Sequence, residues 1–125
     1  MRKFFAVLAL SLAGVTAAPL AASAAPLAGT NNLVTRAFVK TTGGVSLTYW
    51  CARESGDIGN TRVQIVSDNQ LTAYRDFAAD CDGLYHYIGS ANVVSNTSLR
   101  ARIHVYGSGT INGYVSADFT GYYVP

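Results

Sequence analysis

Two cysteines, two histidines, eight tyrosines and a spaced run of arginines are the residues of this chain with chemistry to offer. Cys51 ends the stretch Val45-Ser46-Leu47-Thr48-Tyr49-Trp50-Cys51. As a strand, it places Val45, Leu47, Tyr49 and Cys51 on one face, so the cysteine points with the apolar set towards a core. Cys81 is the one intramolecular partner open to it. No histidine or third cysteine stands at metal-ligand spacing, so the chemistry expected of the pair is a Cys51–Cys81 disulfide. Closing that loop is worth about 3–4 kcal/mol in the chain-entropy model. For a domain with about 5–10 kcal/mol of net stability, that is a large share.

A second constellation is Arg100, Arg102, His104 and Tyr106, which alternate with Leu99, Ala101, Ile103 and Val105. That pattern predicts a half-buried strand with one wet face. Three potential cations and an aromatic on that face suit the grip of an anionic partner, such as a wall polymer, a carboxylate-rich surface or a phosphate. The plainer reading is a solvated face whose charges discourage edge pairing. His104 would add charge only below about pH 6.5.

Tyr85, Tyr87 and Tyr114 are the tyrosines singled out for binding, because Leu84, Ile88 and Val115 beside them can face inward. Flat amphipathic rings on a rigid sheet suit sugar or protein recognition, although tyrosine is also a good strand former. Asp76, Asp80 and Asp82 gather near Gly83, but the EF-hand order fails, with Ala78 at the first ligand position and Gly89 in place of the terminal Glu. They read as solvated turn acids, and neither metal nor cofactor is expected.

Catalysis finds no signature. There is no G-x-S-x-G elbow, and sets such as Ser67, His86 and Asp82, or carboxylate pairs from Glu54, Asp76 and Asp80, arise by chance in any small domain. A domain this small also leaves little room for a deep pocket, so binding is favoured over turnover.

Arg2 and Lys3, the apolar run from Phe4 to Ala18, and Ala22-Ser23-Ala24 form the three parts of a secretory signal. The run is about 15 residues, short for a membrane span. Cleavage is expected after Ala24, which makes residues 1–24 a signal peptide and the product secreted, extracellular and free of membrane insertion. The mature chain then holds seven basic residues against seven acids, so a general attraction to nucleic acid loses its support. One lysine against six arginines hints at a GC-rich bacterial gene.

Residues 25–32 (APLAGTNN) read as a flexible N-terminal segment, and residues 33–125 as a single β domain. Residues 33–40 contain strand formers with no clear inward face. Thr41-Thr42-Gly43-Gly44 reads as a turn, and Arg53–Asn60 as a polar loop long enough to carry a contact surface. Thr61–Ser67 is a strand. Residues 70–79 fit helix or strand, with strand preferred, and Leu84–Gly89 is a further strand. Leu99–Tyr106 and Ile111–Thr120, joined by Gly107-Ser108-Gly109-Thr110, read as a hairpin.

Tyr49-Trp50-Cys51-Ala52-Arg53 looks like the Y-x-C-A-R run of antibody variable domains. In that family the run follows the other cysteine and a core tryptophan, whereas here it precedes Cys81 and Trp50 abuts Cys51. The likeness spans five residues and implies a strand holding a core cysteine and nothing about antigen binding.

The expected fold is all-β: a small antiparallel β-sandwich of six to seven strands with one disulfide, the alternative being a small closed β-barrel. The expected function is that of a secreted domain binding an extracellular polymer, carbohydrate or surface protein. The alternative is a secreted antagonist, either an antibacterial toxin or an inhibitor of an extracellular enzyme, presenting the Arg53–Asn60 loop.

Overall fold

A computed structural model describes residues 27–125. The signal peptide expected over residues 1–24 lies outside the described residues. The described residues form eight strands: β1 (Leu27–Thr30), β2 (Asn32–Val34), β3 (Phe38–Ser55), β4 (Thr61–Ser67), β5 (Ala73–Ala78), β6 (His86–Ala91), β7 (Ser98–Val105) and β8 (Thr110–Tyr123). Every strand pairing is antiparallel, and the sheet does not close into a barrel.

The hydrogen-bonded ladders divide into two layers. One runs β6–β3–β8–β1 and the other β5–β4–β7–β2. Leu47, Tyr49, Cys51 and Val115 of the first share one buried cluster with Val63, Ile65, Ala101 and Ile103 of the second. Strands that share a core without pairing are packed face to face, which is the sandwich arrangement. Alternation sends every second residue of β3, β7 and β8 into that core.

The two layers are joined by the long strands β3 and β8. Phe38 and Val39 pair with Leu99 and Ser98 of β7, and also with Tyr123 and Tyr122 of β8. From Ser46 onwards β3 belongs to the other layer, between β8 and β6. The change of layer is made by register slips between Lys40 and Ser46. Thr41–Gly44, expected as a turn, is therefore a bend inside one continuous strand. Gly43 takes a φ of 71°, and a Cβ on Gly44 would sit 2.9 Å from the Ala91 carbonyl oxygen and against Ser90, so neither position suits a larger residue.

The hairpin expected between β7 and β8 does not form. β7 pairs with β4, β2 and the start of β3, while β8 pairs with β3 and β1. The Gly107–Thr110 link is an arch from one layer to the other. Gly109 donates its N–H to the Asp57 carbonyl at 2.9 Å, and a Cβ on Gly107 would lie 2.8 Å from that same oxygen. Glycine thus lets the arch press on the loop after β3. Two strands with the same inward alternation satisfy the same core either as a hairpin or as facing layers.

Residues 27–30 pair with β8 and residues 32–34 with β7, which raises the strand count to eight. Unpaired N–H and C=O groups along those two strands supply the driving force. Residues 73–78 form a strand, as preferred over a helix.

Cys51 and Cys81 are bonded, S–S 2.07 Å. Cys51 is fully buried, and the bridge ties β3 to the connection leading into β6. That connection is held further by the Gly83 N–H, which donates to the Cys51 carbonyl at 2.8 Å.

Candidate functional site

β7 is a central strand, so its outward side chains meet neighbours on both sides. Arg102 lies opposite Gln64 and Val34, and His104 opposite Arg62 and Asn32. Arg102 is only 9% exposed. Its Nε donates to Gln64 Oε1 at 2.8 Å, Nη1 to Gln70 Oε1 at 3.1 Å and Nη2 to Tyr106 Oη at 3.3 Å. Gln70 Oε1 also accepts from Asn32 Nδ2 at 3.0 Å, so the turn after β4 clasps β2 and β7 together. A buried guanidinium costs free energy unless its donors are used. Here neutral amides and a phenol use them, and Arg102 forms no ion pair among the described residues.

The other members of the row are engaged as well. Arg100 donates to Asp68 Oδ1 at 2.8 Å and to the Thr35 carbonyl at 3.0 Å. His104 Nδ1 bonds Asn32 Oδ1 at 3.1 Å, and its ring packs edge-on against Tyr106, centroids 4.3 Å apart. Burial, and then the charge of Arg102, hold the His104 pKa below its ordinary value. The wet cationic face expected of β7 is thus corrected. With Gln64 buried too, the centre of this side is an enclosed polar network, while Arg100 and His104 are half-buried and Tyr106 is exposed at its end. His104 takes up charge only further into acid than its ordinary value.

The remaining acids and histidine disperse. Asp76 accepts from Arg62 Nε at 2.9 Å and from Gln64 Nε2 at 3.1 Å, and these contacts, the arginine first, lower its pKa. Asp82 Oδ1 bonds His86 Nε2 at 2.8 Å and accepts the Leu84 N–H at 3.0 Å. His86, followed by that N–H, holds the Asp82 carboxyl below the usual range. So Asp82 and His86 do meet, but Ser67 is not with them, because its hydroxyl bonds Asn69 at 2.7 Å.

The aromatic residues behave differently. On the outer side of the first layer, Trp50 of β3 is registered opposite Tyr114 of β8, and Thr48 opposite both Tyr87 of β6 and Ser116 of β8. Tyr85 immediately precedes β6, and its ring meets that of Tyr114 edge to face, centroids 6.3 Å apart. Tyr87 donates its hydroxyl to Ser46 Oγ at 3.2 Å. Tyr85 and Tyr87 are 67% and 70% exposed, while Trp50 and Tyr114 are half-buried. Four aromatic rings therefore share one face, and Leu84, 65% exposed, adjoins them. The inward neighbours that hold this face in place are Leu47, Tyr49, Cys51 and Val115.

Compared with known proteins, the chain matches no family model, no curated protein and no solved structure.

The seven residues singled out from the sequence thus fall on two opposite sides of the sandwich. Tyr85, Tyr87 and Tyr114 are brought together, whereas Arg100, Arg102, His104 and Tyr106 lie on the far side. Trp50 is the member of the aromatic face that tyrosine counting misses. The signal was present, since Tyr49 and Cys51 point inward and the residue between them must point out.

Proposed function

We propose that this protein is a secreted binding domain that holds an extracellular partner on the outer face of the β6–β3–β8 layer. The observation that carries this reading is the gathering of Trp50, Tyr85, Tyr87 and Tyr114 on one side, two of them largely in solvent. Rings mounted on paired strands lose little conformational freedom on contact, which makes exposed aromatics economical for recognition. The leader pattern of residues 1–24 and the disulfide support export to an oxidising compartment. The test is a pull-down of the exported protein on purified cell walls, with the Tyr85→Ala/Tyr87→Ala double variant beside it. Retention of the parent and loss of the variant is the expected outcome, and equal retention of both would remove the face from the mechanism. Intact mass of the exported product checks cleavage after Ala24.

A second reading, inhibition of an extracellular enzyme, has its own supporting observation in the Arg53–Asn60 loop. The loop is largely exposed yet internally braced. Arg53 Nε donates to the Gly56 carbonyl at 2.6 Å, Asp57 Oδ1 accepts the Gly59 N–H at 2.9 Å, and Thr110 Oγ1 donates to Glu54 Oε1 at 2.6 Å. A braced loop of this kind is the form in which inhibitors present themselves to an enzyme cleft. Protection of a protease substrate, lost on replacing Ile58, would favour this reading over adhesion.

A further inference from the structure

Resting on the aromatic-face reading, we infer that the ligand is a neutral polysaccharide chain laid flat across Trp50, Tyr85, Tyr87 and Tyr114. Charge is the first ground. The outward positions of β3 from Ser46 to Ala52, and of β8 from Asn112 to Ser116, carry no ionisable group other than the Tyr114 phenol, and the charges at the margins are carboxylates, Asp118 opposite Ser46 and Asp82 opposite Ala52. Arg100 and Arg102 are on the opposite side, bonded into Gln64, Gln70, Thr35 and Asp68, and Arg53, at the end of β3, is turned back on the Gly56 carbonyl. A polyanion would find no cation here and would meet a carboxylate at either end, so the ligand matched to the uncharged centre of this face is neutral.

The second ground is the mixture of rings and hydroxyls. Thr48 lies between Tyr87 and Ser116 and next to Trp50 along the strand face, Ser46 follows it, and the Tyr87 hydroxyl is pinned to Ser46. An apolar protein surface would leave these hydroxyls buried without partners, at a cost per group of about 1–3 kcal/mol. A sugar offers C–H faces to the rings and O–H groups to the hydroxyls at the same time. The third ground is spacing. The Tyr85 and Tyr114 rings are 6.3 Å apart, and Trp50 stands directly opposite Tyr114 on a paired strand about 5 Å away, each comparable to one sugar ring. Tyr85 and Tyr114 stand at 73° to one another, so a sugar stacked on the face of one meets the edge of the other, and along an extended polymer several adjacent sugars each contribute a weak contact.

The experiment is depletion of the full exported protein from solution by insoluble cellulose, chitin and starch granules, with polygalacturonate gel as the anionic comparison, in low and in 1 M salt. Retention on at least one neutral polymer, changing less than about twofold with salt, is expected. Tyr85→Ala/Tyr87→Ala should lower it at least tenfold, and Tyr85→Phe/Tyr87→Phe, which keeps the rings, by less than about threefold. Circular dichroism of both variants should match the parent, because both side chains are largely in solvent. Binding confined to polygalacturonate, binding abolished by salt, or no retention on any neutral polymer would overturn the inference. If the double alanine variant instead loses self-association, seen by light scattering, or loses a protein partner from the wall pull-down, the face stands and the sugar falls. Full retention of the alanine variant on whatever the parent binds would sink both.

Discussion

The rings of Tyr85 and Tyr114 meet edge to face at 6.3 Å although β3 runs between their strands. The two tyrosines therefore lean towards one another over the strand that carries Trp50. The connection bearing Tyr85 is fixed by the Cys51–Cys81 bridge and by the Asp82–His86 pair, so the aromatic face depends on a short tethered segment.

Reducing that tether should weaken the whole domain. The Cys51→Ala/Cys81→Ala variant is expected to lose about 3–4 kcal/mol of unfolding free energy. Urea titration of the parent with and without reductant should show a matching shift of midpoint. Coincident curves would show that the bridge contributes little beyond the packing around it.

Arg102 should prove structural. Arg102→Ala removes donors from Gln64, Gln70 and Tyr106 and opens a void in a buried network. An expected loss of about 2–4 kcal/mol follows from the unsatisfied partners. Ligand retention by the aromatic face should be unchanged at temperatures where the variant is folded. Loss of binding without loss of stability would return β7 to the contact surface.

Acid should destabilise the protein in two windows. His104 has its folded pKa pushed below the ordinary 6.5, first by burial and then by Arg102. A base held neutral by folding contributes stability that is complete above its unfolded pKa and is lost as pH falls below 6.5 towards the folded value. Asp68, Asp76 and Asp82 are lowered from 3.8 chiefly by hydrogen bonds from Arg100, Arg62 and His86 respectively. Their contribution is present above 3.8 and disappears as pH drops through their folded values. Chemical denaturation across pH 3–8 should therefore show a shallow decline starting below 6.5 and a steeper one near and below 4. His104→Gln should flatten the first and leave the second.

Asn112 presents an opportunity for stabilisation. Its Oδ1 is buried and accepts no hydrogen bond among the described residues. Asn112→Val removes the orphaned acceptor and places a β-branched residue in a strand, for an expected gain of about 1 kcal/mol. A fall in the thermal midpoint would mean that the amide does work through its nitrogen that valine cannot replace.

Much of the local structure could be read directly from the residues. The alternation of Val45, Leu47, Tyr49 and Cys51 and of Leu99, Ala101, Ile103 and Val105 determined two core-facing strands, because pleating leaves each residue only one side to occupy. The cysteine pair followed by elimination, and the outward position of Trp50 was implied by its inward neighbours. Which strands pair was a different matter. The arch at Gly107–Thr110, the layer change of β3 near Gly43, and the capture of residues 27–34 by the open edges of β8 and β7 all depend on contacts distant in sequence. Period-two alternation states only that a side chain points in or out. It is silent on which backbone supplies the ladder, so tertiary packing alone decided that Arg102 would be enclosed and that Tyr85, Tyr87 and Tyr114 would share an open face.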